Sequence, residues 1–247
     1  MTELMHLVKF NYNDMIGAKK DPMVDSWLFM SSPVPILTIL ALYLYFVLSL
    51  GPSVMNSRKP FHLQKLLVAY NLYQVLFSLW LCTLPFRFGA VQYIFKHGCQ
   101  PADQPQSPYS VAVFFVLRKK QNQVSFLHVY HHTVTALFSW GYLKFLPGEQ
   151  GVIIGFLNSV VHVVMYSYYM MAAMGPSYHK YLWWKKYITW IQLTQFCLML
   201  TYLLSLLAYD CKLPKGLTFF FVGNVIVFLY LFLDFYKKAY SNNKLTE

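Results

Sequence analysis

The chain has 247 residues, 57% of them hydrophobic and only 12% charged, a balance outside that of soluble globular domains. Its net charge of +11 does not point to nucleic acid. Lys and Arg sit in short clusters at the ends of apolar runs, where orientation signals face anionic headgroups.

The first 30 residues are polar and include Lys19, Lys20 and Asp21 ahead of any apolar run. That is not the pattern of a cleavable signal peptide, so the first span is expected to act as its own insertion signal. Runs of about 20 apolar residues, the length that crosses a bilayer core, lie at 33–50, 63–84, 152–174, 188–209 and 217–236. A sixth, 124–146, is long enough but carries three histidines. Aromatic residues make up 19% of the chain, and Tyr and Trp gather near the span ends as interfacial belts do. No fixed-period repeat, low-complexity tract or second soluble domain is expected. Residues 1–247 are predicted to form a single transmembrane domain of the all-α class, a polytopic helical bundle.

The basic clusters Arg58-Lys59, Arg118-Lys119-Lys120, Lys180 with Lys185-Lys186, and Lys237-Lys238 should all face the cytosol. Six crossings break that pattern and seven satisfy it, with a luminal N-terminus. The extra crossing must lie between Leu84 and Arg118, where the only apolar stretch is 111–117, about a third of a span. Seven crossings also place Cys99 and Cys211 together in the lumen, where disulfides persist, and the two are expected to pair. Cys82 and Cys197 lie within spans and read as small apolar filler. The expected architecture is a seven-helix bundle with a truncated third helix.

His128, His131 and His132 form an H-x-x-H-H run. On a helix these positions share one face, and ionisable groups at membrane depth normally face the bundle interior. In the next span Asn158, His162, Tyr166 and Tyr169 make a polar stripe, and the one after carries Thr189, Gln192 and Gln195. Each stripe alone is also what interhelical hydrogen bonding produces. Polar faces on three successive spans favour a solvated or ligand-lined pocket. Clustered neutral imidazoles suit metal ligation or covalent and acid/base work. His6, His62, His97 and His179 are scattered and carboxylates are few, thin provision for a pair of metal ions. Spacing alone does not choose between the two chemistries.

Four ordered segments resemble the signature of the very-long-chain fatty acid elongases, the histidine-box 3-oxoacyl-CoA synthases. They are Phe114-Phe115-Val116-Leu117-Arg118-Lys119-Lys120, then Gln123-Val124-Ser125-Phe126-Leu127-His128-Val129-Tyr130-His131-His132, then Asn158-x-x-x-His162-x-x-Met165-Tyr166-x-Tyr168-Tyr169, and Thr189-x-x-Gln192-x-x-Gln195-Phe196. The likeness covers about residues 25–240. It implies a seven-helix bundle around an acyl tunnel in the endoplasmic reticulum membrane. The reaction implied is condensation of acyl-CoA with malonyl-CoA to 3-oxoacyl-CoA, CO2 and CoA, with malonyl-CoA as co-substrate and no bound cofactor or metal.

By the same resemblance His131 carries the acyl group and His162 shares the reacting carbon. His128 and His132 orient the nucleophile or polarise the malonyl carbonyl. Asn158, Tyr166, Gln192 and Gln195 donate hydrogen bonds to carbonyls, and Lys119, Lys120, Lys185 and Lys186 suit CoA phosphates. Reductases and a dehydratase of the elongation cycle are the implied protein partners. Alternatives of other classes are a metal-dependent membrane oxidase of desaturase or hydroxylase type and a non-catalytic multi-pass protein. One departure from the family stands out. A Lys-x-x-Glu-x-x-Asp-Thr motif ends the family's third helix, but here Ser107-Pro108-Tyr109-Ser110-Val111-Ala112-Val113 runs directly into Phe114. The loss implies impaired catalysis by this chain.

Overall fold

A computed structural model of the protein describes residues 25–26, 28–59, 61–87, 89, 126–145, 150–209 and 215–241, and every regular element among them is helical. The first rod is α1 (Val34–Tyr45), a π turn (Phe46–Leu50) and α2 (Gly51–Asn56). The π turn has a covalent cause. Pro52, in the first turn of α2, has no N–H to donate and its ring crowds the carbonyl four residues back, so the backbone widens by one residue. The Gly51 N–H accordingly reaches back to the Phe46 carbonyl. There follow α3 (Gln64–Arg87), α4 (Phe126–Phe145), α5 (Gln150–Ala173), a 3-10 turn (Pro176–Tyr181), α6 (Lys185–Ala208) and α7 (Lys215–Tyr236), closed by a π turn at Lys237–Ser241.

Five rods are long and apolar enough to cross a membrane: Val34–Asn56, Gln64–Arg87, Gly151–Ala173, Lys185–Ala208 and Thr218–Tyr240. These are the five apolar runs of the sequence, and the chain is a polytopic helical membrane protein. Helix α4 has 20 residues, about 30 Å at 1.5 Å per residue. It matches a bilayer in length, but its histidines and Lys144 make it the polar rod. The stretch expected to hold the truncated third helix, residues 88–125, lies outside the described residues apart from Gly89.

The chain divides into two packing units. The first takes in Met1–Phe61 and Ala102–Gly148 and so holds α1, α2 and α4; the second, His62–Pro101 and Glu149–Glu247, holds α3, α5, α6 and α7.

In the first unit α4 packs on α1, with Ala136 and Trp140 against Met30, Ile36 and Leu40. The segment before α1 is bound to the C-terminal half of α4 by three polar contacts. Trp140 Nε1 donates to the Phe29 carbonyl at 3.0 Å. The Lys144 ammonium is ion-paired with Asp25 and donates to the Met30 carbonyl at 2.6 Å. Phe29 turns the chain there with φ 67°, a left-handed conformation uncommon for a residue with a side chain.

In the second unit the helices form an antiparallel row, α3 on α5, α5 on α6 and α6 on α7. Gln64 at the start of α3 donates to the carbonyl of Met174, just past the end of α5, whereas Phe86 at the far end of α3 meets Phe156 near the start of α5. Likewise Trp184 meets Tyr168 and, at the other end of the same two helices, Leu203 and Leu206 pack with Ile154. Trp190 meets Tyr236, and Phe221 packs near Leu203 and Leu206. Helix α5 is stopped by Gly175 at φ 112° and ψ −177°, a conformation open to glycine, followed by Pro176.

Candidate functional site

Helix α4 carries the histidine run. His131 and His132 lie edge to face with ring centroids 5.5 Å apart, and both are half-buried. His128 stands on the same helix one turn earlier, but its side chain is outside the described residues. At about 100° per residue, His131 falls on the opposite side of α4 from Trp140, nine positions on. The helix is therefore anchored through its Ala136, Trp140 and Lys144 face, which leaves the imidazole of His131 on the far side.

In the second unit the stripe of α5 is present as a continuous polar and aromatic edge. The His162 ring meets Tyr166 at 5.3 Å, and Tyr166 meets Tyr169 at 6.3 Å, both edge to face. Tyr166 is buried, His162 and Asn158 are half-buried, and Tyr169 is exposed. Ser159 bonds back to the Gly155 carbonyl at 2.8 Å.

On α6, Thr189 and Gln195 are buried and Gln192 is half-buried. The Gln192 amide donates to the Met165 thioether at 3.7 Å, and Gln195 to the Met199 thioether at the same distance. Sulfur is a weak acceptor. Two amides resting on thioethers can exchange those contacts for a substrate carbonyl with a gain in hydrogen-bond strength.

Helix α3 contributes a polar face that the sequence reading passed over. Asn71 is completely buried, Ser78 is 2% exposed, and Gln74 is buried between them at spacing i, i+3, i+7. Gln74 Nε2 donates to the Tyr70 hydroxyl at 2.7 Å, and the Tyr70 ring meets Tyr166 at 6.3 Å. The signal was present in the 63–84 run but was diluted by the apolar residues around it.

Lys185 and Lys186 are exposed at the start of α6, and Lys186 lies over the Tyr187 ring. By the antiparallel packing they share one end of the unit with Lys65, Lys180, Lys237 and Lys238. Lys119, Lys120, Cys99 and Cys211 are outside the described residues. Cys82 and Cys197 are free thiols, the first half-buried and the second exposed. Among the described residues no three His, Cys, Asp or Glu side chains gather as a metal-ligand set.

Comparison with known proteins supplies what geometry alone does not. The family profile described as "ELO: GNS1/SUR4 family" matches residues 28–247. Very long chain fatty acid elongase 7 of Rattus norvegicus is 42% identical over 246 residues, covering 91% of this chain and 87% of that protein. The Drosophila melanogaster protein of the same name is 39% identical, covering 93% of this chain and 75% of its own length. Very long chain fatty acid elongase 4 of Homo sapiens is also 39% identical, with 91% and 77% covered.

Proposed function

Because the chain belongs to the GNS1/SUR4 (ELO) family, we propose that it is an enzyme of very-long-chain fatty acid elongation that catalyses the condensing step. Acyl-CoA and malonyl-CoA give 3-oxoacyl-CoA, CO2 and free CoA. In the first stage the His131 imidazole attacks the thioester carbonyl. The C–S bond breaks, CoA leaves as the thiolate and takes up a proton, and an acyl-imidazole remains. In the second stage malonyl-CoA loses CO2. The electron pair of the broken C–C bond, held as an enolate, attacks the acyl carbon and displaces the imidazole.

The observation that carries this reading is the His131–His132 pair, two half-buried imidazoles on one helix of a chain of this family. An acyl-imidazole is a reactive acyl donor, which suits the attack of a carbon nucleophile better than a thioester does. On the family likeness, His128 and His132 orient the nucleophile or polarise the malonyl carbonyl, and His162 takes part in acyl transfer. Asn158, Tyr166, Gln192 and Gln195 donate to the carbonyl oxygens as negative charge develops there. Lys119, Lys120, Lys185 and Lys186 take the CoA phosphates. The site of action is the endoplasmic reticulum membrane, beside the reductases and dehydratase that consume a 3-oxoacyl-CoA.

His131→Ala should abolish condensation of labelled malonyl-CoA in microsomes while leaving the protein folded, since it removes a covalent step. Mass spectrometry after exposure to acyl-CoA alone should find an acyl adduct on His131. Near-normal turnover by the alanine variant would overturn the assignment. The same assays on a chain with a full third span in place of residues 107–117 show whether the truncation impairs turnover.

A further inference from the structure

The buried polar face of α3 has no part in the chemistry set out above. Polar side chains in membrane spans commonly join one helix to the next. Gln74 does something different: its 2.7 Å bond goes to Tyr70, one turn back on its own helix. A bond of that kind adds nothing to helix association. It fixes a rotamer, here that of a tyrosine whose ring meets Tyr166 edge to face at 6.3 Å, 82° between planes. Tyr166 in turn meets His162 at 5.3 Å and 72°. Both spacings fall in the range where aromatic edges and faces attract, and that attraction depends on orientation.

We infer that Gln74 and Tyr70 are positioning residues, a buried brace on α3 that holds the Tyr166 ring and, through it, the imidazole of His162. The inference rests on the reading of His162 as part of the acyl-transfer site. Two features of the structure support a brace over simple filling. Gln74 is 6% exposed, so its amide is withheld from solvent and its bond to Tyr70 is worth more than one at a surface. Tyr166 is itself 9% exposed and packed between the two partners, so a change on the Tyr70 side is passed to His162 through a ring that has little room to yield.

The test is the rate at which diethyl pyrocarbonate modifies His162 in the full chain, followed by peptide mass spectrometry, with exposed His179 as internal reference. Tyr70→Phe and Gln74→Leu each remove the bond and keep the bulk. Each should speed modification of His162 about two- to tenfold, the range set by one neutral hydrogen bond, with His179 unchanged. The double variant should match the single ones, because both remove the same interaction. Tyr70→Leu, which deletes the ring, should exceed them. Unchanged rates at His162, or additive effects in the double variant, would overturn the brace.

Condensation assays on the same variants separate this inference from the function proposed above. The brace predicts that kcat falls with KM for acyl-CoA unchanged, whereas loss of general packing lowers the amount of folded protein and leaves kcat alone. If the wild-type chain and its third-span-restored form both fail to condense while the His162 pattern holds, the condensing function is refuted and the brace stands. Turnover without the His162 pattern refutes the brace alone.

Discussion

The ion pair between Lys144 and Asp25 should be far more sensitive to loss of the carboxylate than to loss of the ammonium. Lys144 is 5% exposed and Asp25 34%. In Asp25→Asn the charged head of Lys144 stays buried with only neutral acceptors, the Met30 carbonyl and the new amide oxygen, and no compensating charge. Stranding a buried charge by removing its partner costs about 3–5 kcal/mol. In Lys144→Met the orphaned carboxylate sits a third exposed and can take up water, so the loss is nearer that of its charge-assisted hydrogen bonds, about 1.5–3 kcal/mol. Replacing both, as Lys144→Met with Asp25→Leu, removes the desolvated charges together and should come within about 1 kcal/mol of the parent protein.

Thermal unfolding in detergent reads this directly, at about 2–4 °C per kcal/mol for a chain of this size. The expected order of damage is Asp25→Asn, then Lys144→Met, then the double variant. If Lys144→Met were the most damaging, or if the double variant were as poor as the two single losses added, the pair would owe its stability to something other than buried-charge compensation. Trp140 and Lys144 fasten the face of α4 opposite His131, so the same variants report how firmly that helix is held.

Gly175→Ala should destabilise the end of α5 by about 1–3 kcal/mol, from backbone strain at φ 112°. Crowding is not the cause, because an added Cβ would lie an ordinary 3.5 Å from Gln64 Nε2; an unchanged melting temperature would refute the strain argument. Cys99 and Cys211 should be recovered as a linked pair in non-reducing peptide maps, adding about 2–4 kcal/mol against unfolding. Finding both thiols alkylatable in intact, unreduced microsomes would refute the link.

The spans and the polar stripes were legible because each depends on local periodicity. An apolar run near 20 residues becomes a membrane rod whatever it packs against, and the stripe through His162 and Tyr166 survives as a stripe. What escaped was tertiary. Lys144 lies 119 residues from Asp25 in sequence, and a lone Lys near the end of an apolar run ordinarily marks an interface. Only the folded chain shows that its head is turned inward onto the segment before α1. The α3 brace is an intermediate case. Asn71, Gln74 and Ser78 have helical spacing, yet three polar residues in a run that passes as apolar draw attention only once their burial is known. Pro52 stood in plain view, but its widened turn follows from the helix continuing past it, which the sequence does not dictate.

The antiparallel packing of α3 on α5 fixes the polarity of the second unit. Arg87 ends α3 and Gln150 begins α5 at the same end of the second unit. The charge pattern agrees: Lys65, Lys180, Lys185, Lys186, Lys237 and Lys238 mark one end of the unit, against Arg87 and Lys215 at the other among the described residues. By the positive-inside rule the six-lysine end is cytosolic. Glycosylation-acceptor tags decide the matter. A tag inserted after Asp210 should be modified, and one after Lys180 should not. Efficient modification after Lys180 would put the six-lysine end in the lumen and overturn this orientation.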